Sequence, residues 1–246
     1  MRRVILITVL ALLAFAAILI ARLPASWVIP SPPAAVACAG SDGTLWNGTC
    51  TGLTVQGQQV GDVVWELHPG SLLSGKIGAH LAVTRTGGGA LQTDLESSFS
   101  GKTVTLHNLK ADVQMDAALM AALHSDMHGA MRLDLATARV ADGNLTDIKG
   151  HIEARDLYQT GGTPGSIGNY AVDFPGGTQP PKGKLRDLGG PLSVEGEVSL
   201  EPQRRVVVNG MVAARPTADP SLANQLKILG TADAQGRRPF SLENSF

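Results

Sequence analysis

Cys38 and Cys50 are the only thiols in this chain of 246 residues, and they bracket the stretch "CAGSDGTLWNGTC", which sets Trp46 between Gly43 and Gly48. A redox pair would sit as Cys-x-x-Cys, with a thiolate stabilised by its neighbour, and this spacing is far too wide for that. In an oxidising compartment an even pair in a short exported stretch reads as a disulfide. It would close a loop of about thirteen residues and contribute roughly 3 kcal/mol by the chain-entropy estimate. The bridge would staple a first hairpin at "GTLWNG", with Gly43 and Gly48 supplying turn freedom and Trp46 supplying buried area.

The other reactive side chains make weaker patterns. His124 and His128 lie one helical turn apart with Met120, Met127 and Met131 nearby, so a soft-metal site can be drawn. No carboxylate or cysteine completes a known ligand set, and the methionines match a core stripe, so the expectation is no metal and no cofactor. "SGKT" at Ser100–Thr103 resembles the tail of a phosphate loop, but Glu96 stands where the first glycine must be, and a hairpin turn is the simpler reading. "GSIG" at Gly165–Gly168 lacks the spacing of a nucleophile elbow. No Ser-His-acid or carboxylate-pair arrangement emerges, so no catalytic residue is assigned and the chain reads as no enzyme.

The framework that must hold these residues begins with the N-terminus. Val4 to Ala21, "VILITVLALLAFAAILIA", is interrupted only by Thr8, and as a helix it would reach roughly 27 Å, enough to cross a bilayer core. Arg2 and Arg3 precede it, so the positive-inside rule would place residues 1–3 in the cytoplasm and everything after Arg22 in the periplasm. A cleaved secretory signal shares the basic start and apolar middle, but cleavage after Ala25 would put Leu23 at the third position back, and the run exceeds a usual signal core. The reading is an uncleaved anchor at 4–21, then a proline-stiffened stalk at 22–37 with Trp27 at the membrane interface, then one periplasmic β domain at 38–246. Twenty Lys and Arg against twenty-one Asp and Glu, without a single-sign run, leave no footprint for nucleic acid.

Beyond the stalk, short segments place apolar side chains on every second residue. They include "LTVQGQQV", "DVVWEL", "KIGAHLAVT", "KTVTLHNLKADVQM", "AMRLDLAT", "KGHIEARDLY", "PLSVEGEVSLEP" and "RRVVVNGMVA". The alternation in "HIEARDL" is imperfect: Ile152, Ala154 and Asp156 would share one face, leaving Leu157 with Glu153 and Arg155 on the other. Two helices are expected: "DAALMAALHSDMHG", capped by Asp116 and stopped by Gly129, and "DPSLANQLKILG", capped by Asp219 with Pro220 at its first position. "QTGGTPGSIGNYAVDFPGGTQPPKGK" reads as a long loop, and "RRPFSLENSF" as a last strand.

The basic tip, the apolar span, "GTLWNG" at 43–48 and "VWELHPGSLLSGKIGAHL" at 64–81, with an ending "RPTADPSLANQLKILGTADAQGRRPFSLENSF", resemble the type II secretion system protein N family. The resemblance implies a curved, mostly antiparallel AsmA-like sheet with two short helices behind one transmembrane helix. It also implies an inner-membrane accessory part of the machinery that exports folded proteins, touching the secretin or the inner-membrane platform proteins. The motif positions Gly43, Trp46, Gly48, Trp65, Pro69, Leu72, Leu73 and Gly75 then read as turn and core residues; the cysteine pair is not a general feature of the family. An AsmA-like module that binds or transfers lipid in an apolar trough of the sheet is the alternative.

Overall fold

The computed structural model describes residues 2–27, 35–85, 87–115, 127–160, 165–203 and 205–245, apart from the side chains of 2–6, 13–14, 16–17 and 245. The chain divides into two compact units, Met1–Thr86 and Gly87–Phe246, so that residues 38–246 are shared between them. Both are antiparallel β structures with short helical pieces.

In the first unit, helix α1 (Arg2–Ala21) is followed by a 3-10 turn at Ala25–Trp27. Ile7, Leu12, Phe15, Ile18 and Leu19 of α1 are exposed. No helix among the described residues is long and apolar enough to cross a membrane. Strands β1 (Val36–Ala37) and β2 (Gly40–Gly43) share one edge of β3 (Asn47–Val55), whose other edge pairs with β4 (Gln58–His68), followed by β5 (Lys76–Thr84). "LTVQGQQV" is therefore not one strand but the β3–β4 turn. Gln56 (φ 51°) and Gly57 (φ 81°) both take the left-handed conformation that a tight hairpin requires. A single helical turn, α2 (Pro69–Leu72), joins β4 to β5.

The second unit is a meander in which each strand pairs with the next: β6 (Gly89–Ser98), β7 (Thr103–Met115), β8 (Met127–Ala141), β9 (Asn144–Gln159), β10 (Gly165–Pro175), β11 (Lys182–Gly189), β12 (Leu192–Glu201), β13 (Arg205–Ala214) and β14 (Arg238–Ser245). Its main core is Leu109, Leu135, Ala138, Ile148, Phe174 and Val198, flanked by half-buried Leu133, Ile152, Val172 and Val208. Leucines, valines and isoleucines at alternate positions of successive strands thus meet on one face of the sheet.

Three expectations are corrected here. The first helix does not reach Gly129: Met127 and His128 already belong to β8, and residues 116–126, with Asp116, Met120 and His124, lie outside the described residues. Gly129 stands within β8, where an added Cβ would meet the carbonyl of Arg155 at 2.7 Å. The glycine-rich segment from Gln159 to Lys184 is not a loop throughout, because it contains β10. Its glycines permit a bulge there: Gly168 (φ 118°) sits at the register shift between β9 and β10. The alternation in β9 also changes phase at Asp156 (φ 51°), whose amide donates to Asn169 Oδ1 at 2.6 Å. Leu157 is consequently buried in the same cluster as Met115, with Ala154 and Met131 packed against it.

Candidate functional site

The family-motif residues converge at one end of the first unit. Thr44–Trp46 make the β2–β3 connection, in which Gly43 (φ 92°) turns the chain and Thr44 Oγ1 meets Asn47 Oδ1 at 3.1 Å. The Trp46 indole Nε1–H donates to the carbonyl of Ile20 at 2.9 Å, in the last turn of α1. At the helix end the Ile20 carbonyl accepts only a long bond from Leu23 N–H at 3.4 Å, and the indole N–H supplies it with a shorter second donor. Leu45 N–H donates to Leu23 O at 2.8 Å, and Leu67 N–H donates to Trp46 O at 2.6 Å. The connection therefore links the exit of α1 to the end of β4.

Trp65 completes this junction, its Nε1–H donating to Leu45 O at 3.0 Å. Its ring explains Gly48 differently from the turn role expected above: a Cβ there would meet Trp65 Cζ2 at 2.5 Å and Asp42 O at 2.6 Å. Gly48 is thus a contact glycine, and Trp46 is only partly buried, serving as a polar clasp more than as core. Cys38 and Cys50, both buried, are bonded to each other with Cα atoms 5.6 Å apart, which ties the break between β1 and β2 to β3.

Pro69, Leu72, Leu73 and Gly75 form the neighbouring corner. Pro69 begins α2, where its missing N–H costs nothing. Ser71 Oγ donates to His68 O at 2.6 Å and accepts from Gly78 N–H at 2.8 Å, pinning the turn against β5. Gly75 (φ 74°) ends the turn. Leu73 is 94% exposed, so this position is not the core residue expected from the sequence.

The second unit holds two polar clusters that the sequence did not reveal, since their members come from different strands. His151 of β9 meets Asp173 Oδ1 of β10 through Nδ1 at 2.5 Å and Glu153 Oε1 through Nε2 at 2.9 Å. Arg155 pairs with Glu153 and Arg186 with Asp173, giving a chain of alternating charge. Both carboxylates are acceptors, so the imidazolium, with two N–H donors, satisfies them together. The Glu153 hydrogen bond, opposed by burial and supported by Asp173, raises the His151 pKa above its ordinary value. His151 holds Glu153 below the usual carboxylate range, and Arg186 does so for Asp173.

In the second cluster, Arg215 of the C-terminal motif reaches Asp187 Oδ1 at 2.5 Å, Gly190 O at 3.0 Å and Leu192 O at 3.3 Å. Nearby, burial first and the Asp187 charge second push the Tyr170 hydroxyl up to about 12, while it donates to Ile167 O at 2.7 Å. Asp219 accepts from Ser221 N–H at 2.7 Å to cap α3 (Pro220–Gln225), which continues as a 3-10 turn at Leu226–Leu229 before Gly230. Leu222 and Leu226 pack on Leu192, Val194 and Val212. Among the described residues no group of three or more His, Cys, Asp or Glu side chains is placed to hold a metal ion. Met131 packs against Met115 and Leu157 as a core residue.

Fold and site together define a helix-tethered antiparallel β scaffold, braced at its motif positions by backbone-directed hydrogen bonds. The family model "Type II secretion system (T2SS), protein N" matches residues 34–241, and the chain belongs to that family. It is 28% identical to the type II secretion system protein N of Aeromonas hydrophila, covering 97% of each chain. With the protein of the same name from Vibrio cholerae serotype O1 the identity is 25%, over 90% of each. No solved structure matches the chain.

Proposed function

We propose that this protein is an inner-membrane-anchored periplasmic accessory component of the type II secretion machinery, acting by contact and not by turnover. Residues 4–21 cross the membrane, residues 1–3 lie in the cytoplasm and residues 22–37 lead to the β structure. The observation that carries this reading is the clasp between Trp46 and Ile20, which joins a helix with exposed Ile, Leu and Phe side chains to the scaffold. Family membership supports the secretion role. Docking of the secretin or platform proteins falls to β14, which pairs with β13 on one edge and carries Leu242, 61% exposed. An extended segment of a partner can add to such an edge through main-chain hydrogen bonds.

The test is a photo-crosslinking residue in place of Leu242, introduced in the native cells, alongside secretion by a deletion strain. Crosslinks to a secretin or platform protein and loss of export are expected. Normal export without such crosslinks would overturn the role, and protease attack on the β units from the cytoplasmic side would overturn the topology.

A second reading, a lipid-carrying trough, draws on the second unit's core, where Leu91, Leu106, Leu145, Leu185 and Leu200 stay only half-buried around the central cluster. An acyl chain would cover such a face. Lipid extraction from the purified protein followed by mass spectrometry tests it, and a lipid-free protein excludes it.

A further inference from the structure

We propose that the β4–β5 corner, His68–Gly75, is a membrane foot that seats Leu72 and Leu73 in the headgroup–acyl boundary of the bilayer, beside the exit of α1. This rests on the anchored reading given above and adds a second, interfacial point of attachment.

Position is the first argument. Trp46 grips the last turn of α1 through Ile20 O, and its own carbonyl accepts from Leu67 N–H at 2.6 Å. The foot starts at the next residue, His68, so it lies at the same end of the unit as the point where the anchor leaves the bilayer. The second argument is preorganisation. Leu73 N–H donates to Gly70 O at 3.2 Å, Ser74 N–H to Ser71 O at 3.0 Å and Gly75 N–H to Leu72 O at 3.1 Å. Ser74 Oγ adds a bond to Ser71 O at 2.7 Å. A turn fixed this firmly holds Leu73 at 94% exposure and Leu72 at 37%, an arrangement unfavourable against water and favourable against lipid. Charge does not drive the seating: the corner from His68 to Gly78 carries no acidic residue, but exposed Arg22 and Lys76 are matched at this end by exposed Asp42 and Glu66, so the leucines carry the contact with lipid.

The experiment uses the full-length protein in nanodiscs of phosphatidylethanolamine with a minority of phosphatidylglycerol, doped with lipids bearing a shallow acyl nitroxide. Single cysteines carry a fluorophore at Gly70, where nothing lies within 4 Å of an added Cβ, at Ile18 in α1, and at Gln56 in the opposite β3–β4 turn. The Gly70 label is expected to be quenched several-fold more than the Gln56 label. The pair Leu72→Asp and Leu73→Asp should return it to the Gln56 level and leave Ile18 quenched. Quenching at Ile18 with none at Gly70, or quenching at Gly70 that survives the aspartates, overturns the foot alone. No quenching at Ile18 overturns the anchor and the foot with it.

Discussion

The indole Nε1–H of Trp46 donates to the carbonyl oxygen of Ile20 across 2.9 Å, joining residues 26 positions apart. The bond caps a helix end, and the next residue back, Leu45, adds a backbone bond to Leu23. Trp46→Phe keeps a ring and removes the donor, for a net cost of about 0.5–1.5 kcal/mol. Global unfolding is expected to shift by no more than this. Hydrogen exchange at the Leu45 amide, in protein reconstituted in a bilayer, is expected to accelerate, and unchanged exchange would remove the clasp from the account.

Gly48 and Gly70 separate a packing glycine from a tolerant one. Gly48→Ala drives a methyl group into the Trp65 ring and the Asp42 carbonyl, and overpacking of this kind costs about 1–3 kcal/mol. Gly70→Ala meets open space and is expected to stay within about 0.5 kcal/mol of the parent. Urea midpoints of the two variants, followed by tryptophan fluorescence, check the contrast. Equal midpoints would contradict it.

Arg215 tests whether the family ending is held by charge alone. Its two terminal nitrogens divide between Asp187 and the carbonyls of Gly190 and Leu192, while Asp187 also accepts from Val194 N–H at 3.3 Å. Arg215→Met is expected to cost about 1–3 kcal/mol, since a partly buried carboxylate loses its charged donor. Arg215→Lys should recover only part of this, because one ammonium cannot reproduce a planar fork. Full recovery by lysine in thermal unfolding would reduce the clamp to a simple ion pair.

What the sequence made legible follows from the range of the interactions involved. Strands β5, β7, β12 and β13 announce themselves through alternation, and the Asp219–Pro220 cap through local hydrogen-bond chemistry, both readable within a few residues. β10 was hidden because its glycines serve a bulge, which the same letters in a loop would equally satisfy. Strict alternation puts Leu157 on the opposite face from the observed one for a related reason: a single left-handed residue, Asp156, re-phases the strand, and only the pairing with Asn169 reveals it. The motif tryptophans and glycines were recognisable as a group. That one tryptophan clasps α1, and that Leu73 faces outward, depended on partners 26 residues away and on the corner's geometry.

His151 makes the second unit's stability depend on pH in a defined direction. Bound to Glu153 and Asp173 through both ring nitrogens, it keeps its proton above the ordinary imidazole value of 6.5. The folded state therefore holds a proton that the unfolded chain releases near 6.5, and linkage makes stability fall as pH rises from there through the folded-state pKa. Below 6.5 the contribution is fully present. On the acid side Glu153 and Asp173 titrate below their ordinary values of 4.5 and 3.8, so their contribution is present above those values and disappears as pH falls through the depressed ones. His151→Phe is expected to flatten the alkaline decline while leaving part of the acid decline, because Arg155 and Arg186 still pair with the two carboxylates. Urea midpoints measured across neutral to alkaline pH give the comparison. Parallel curves for parent and variant would show that the imidazolium does not supply the dependence.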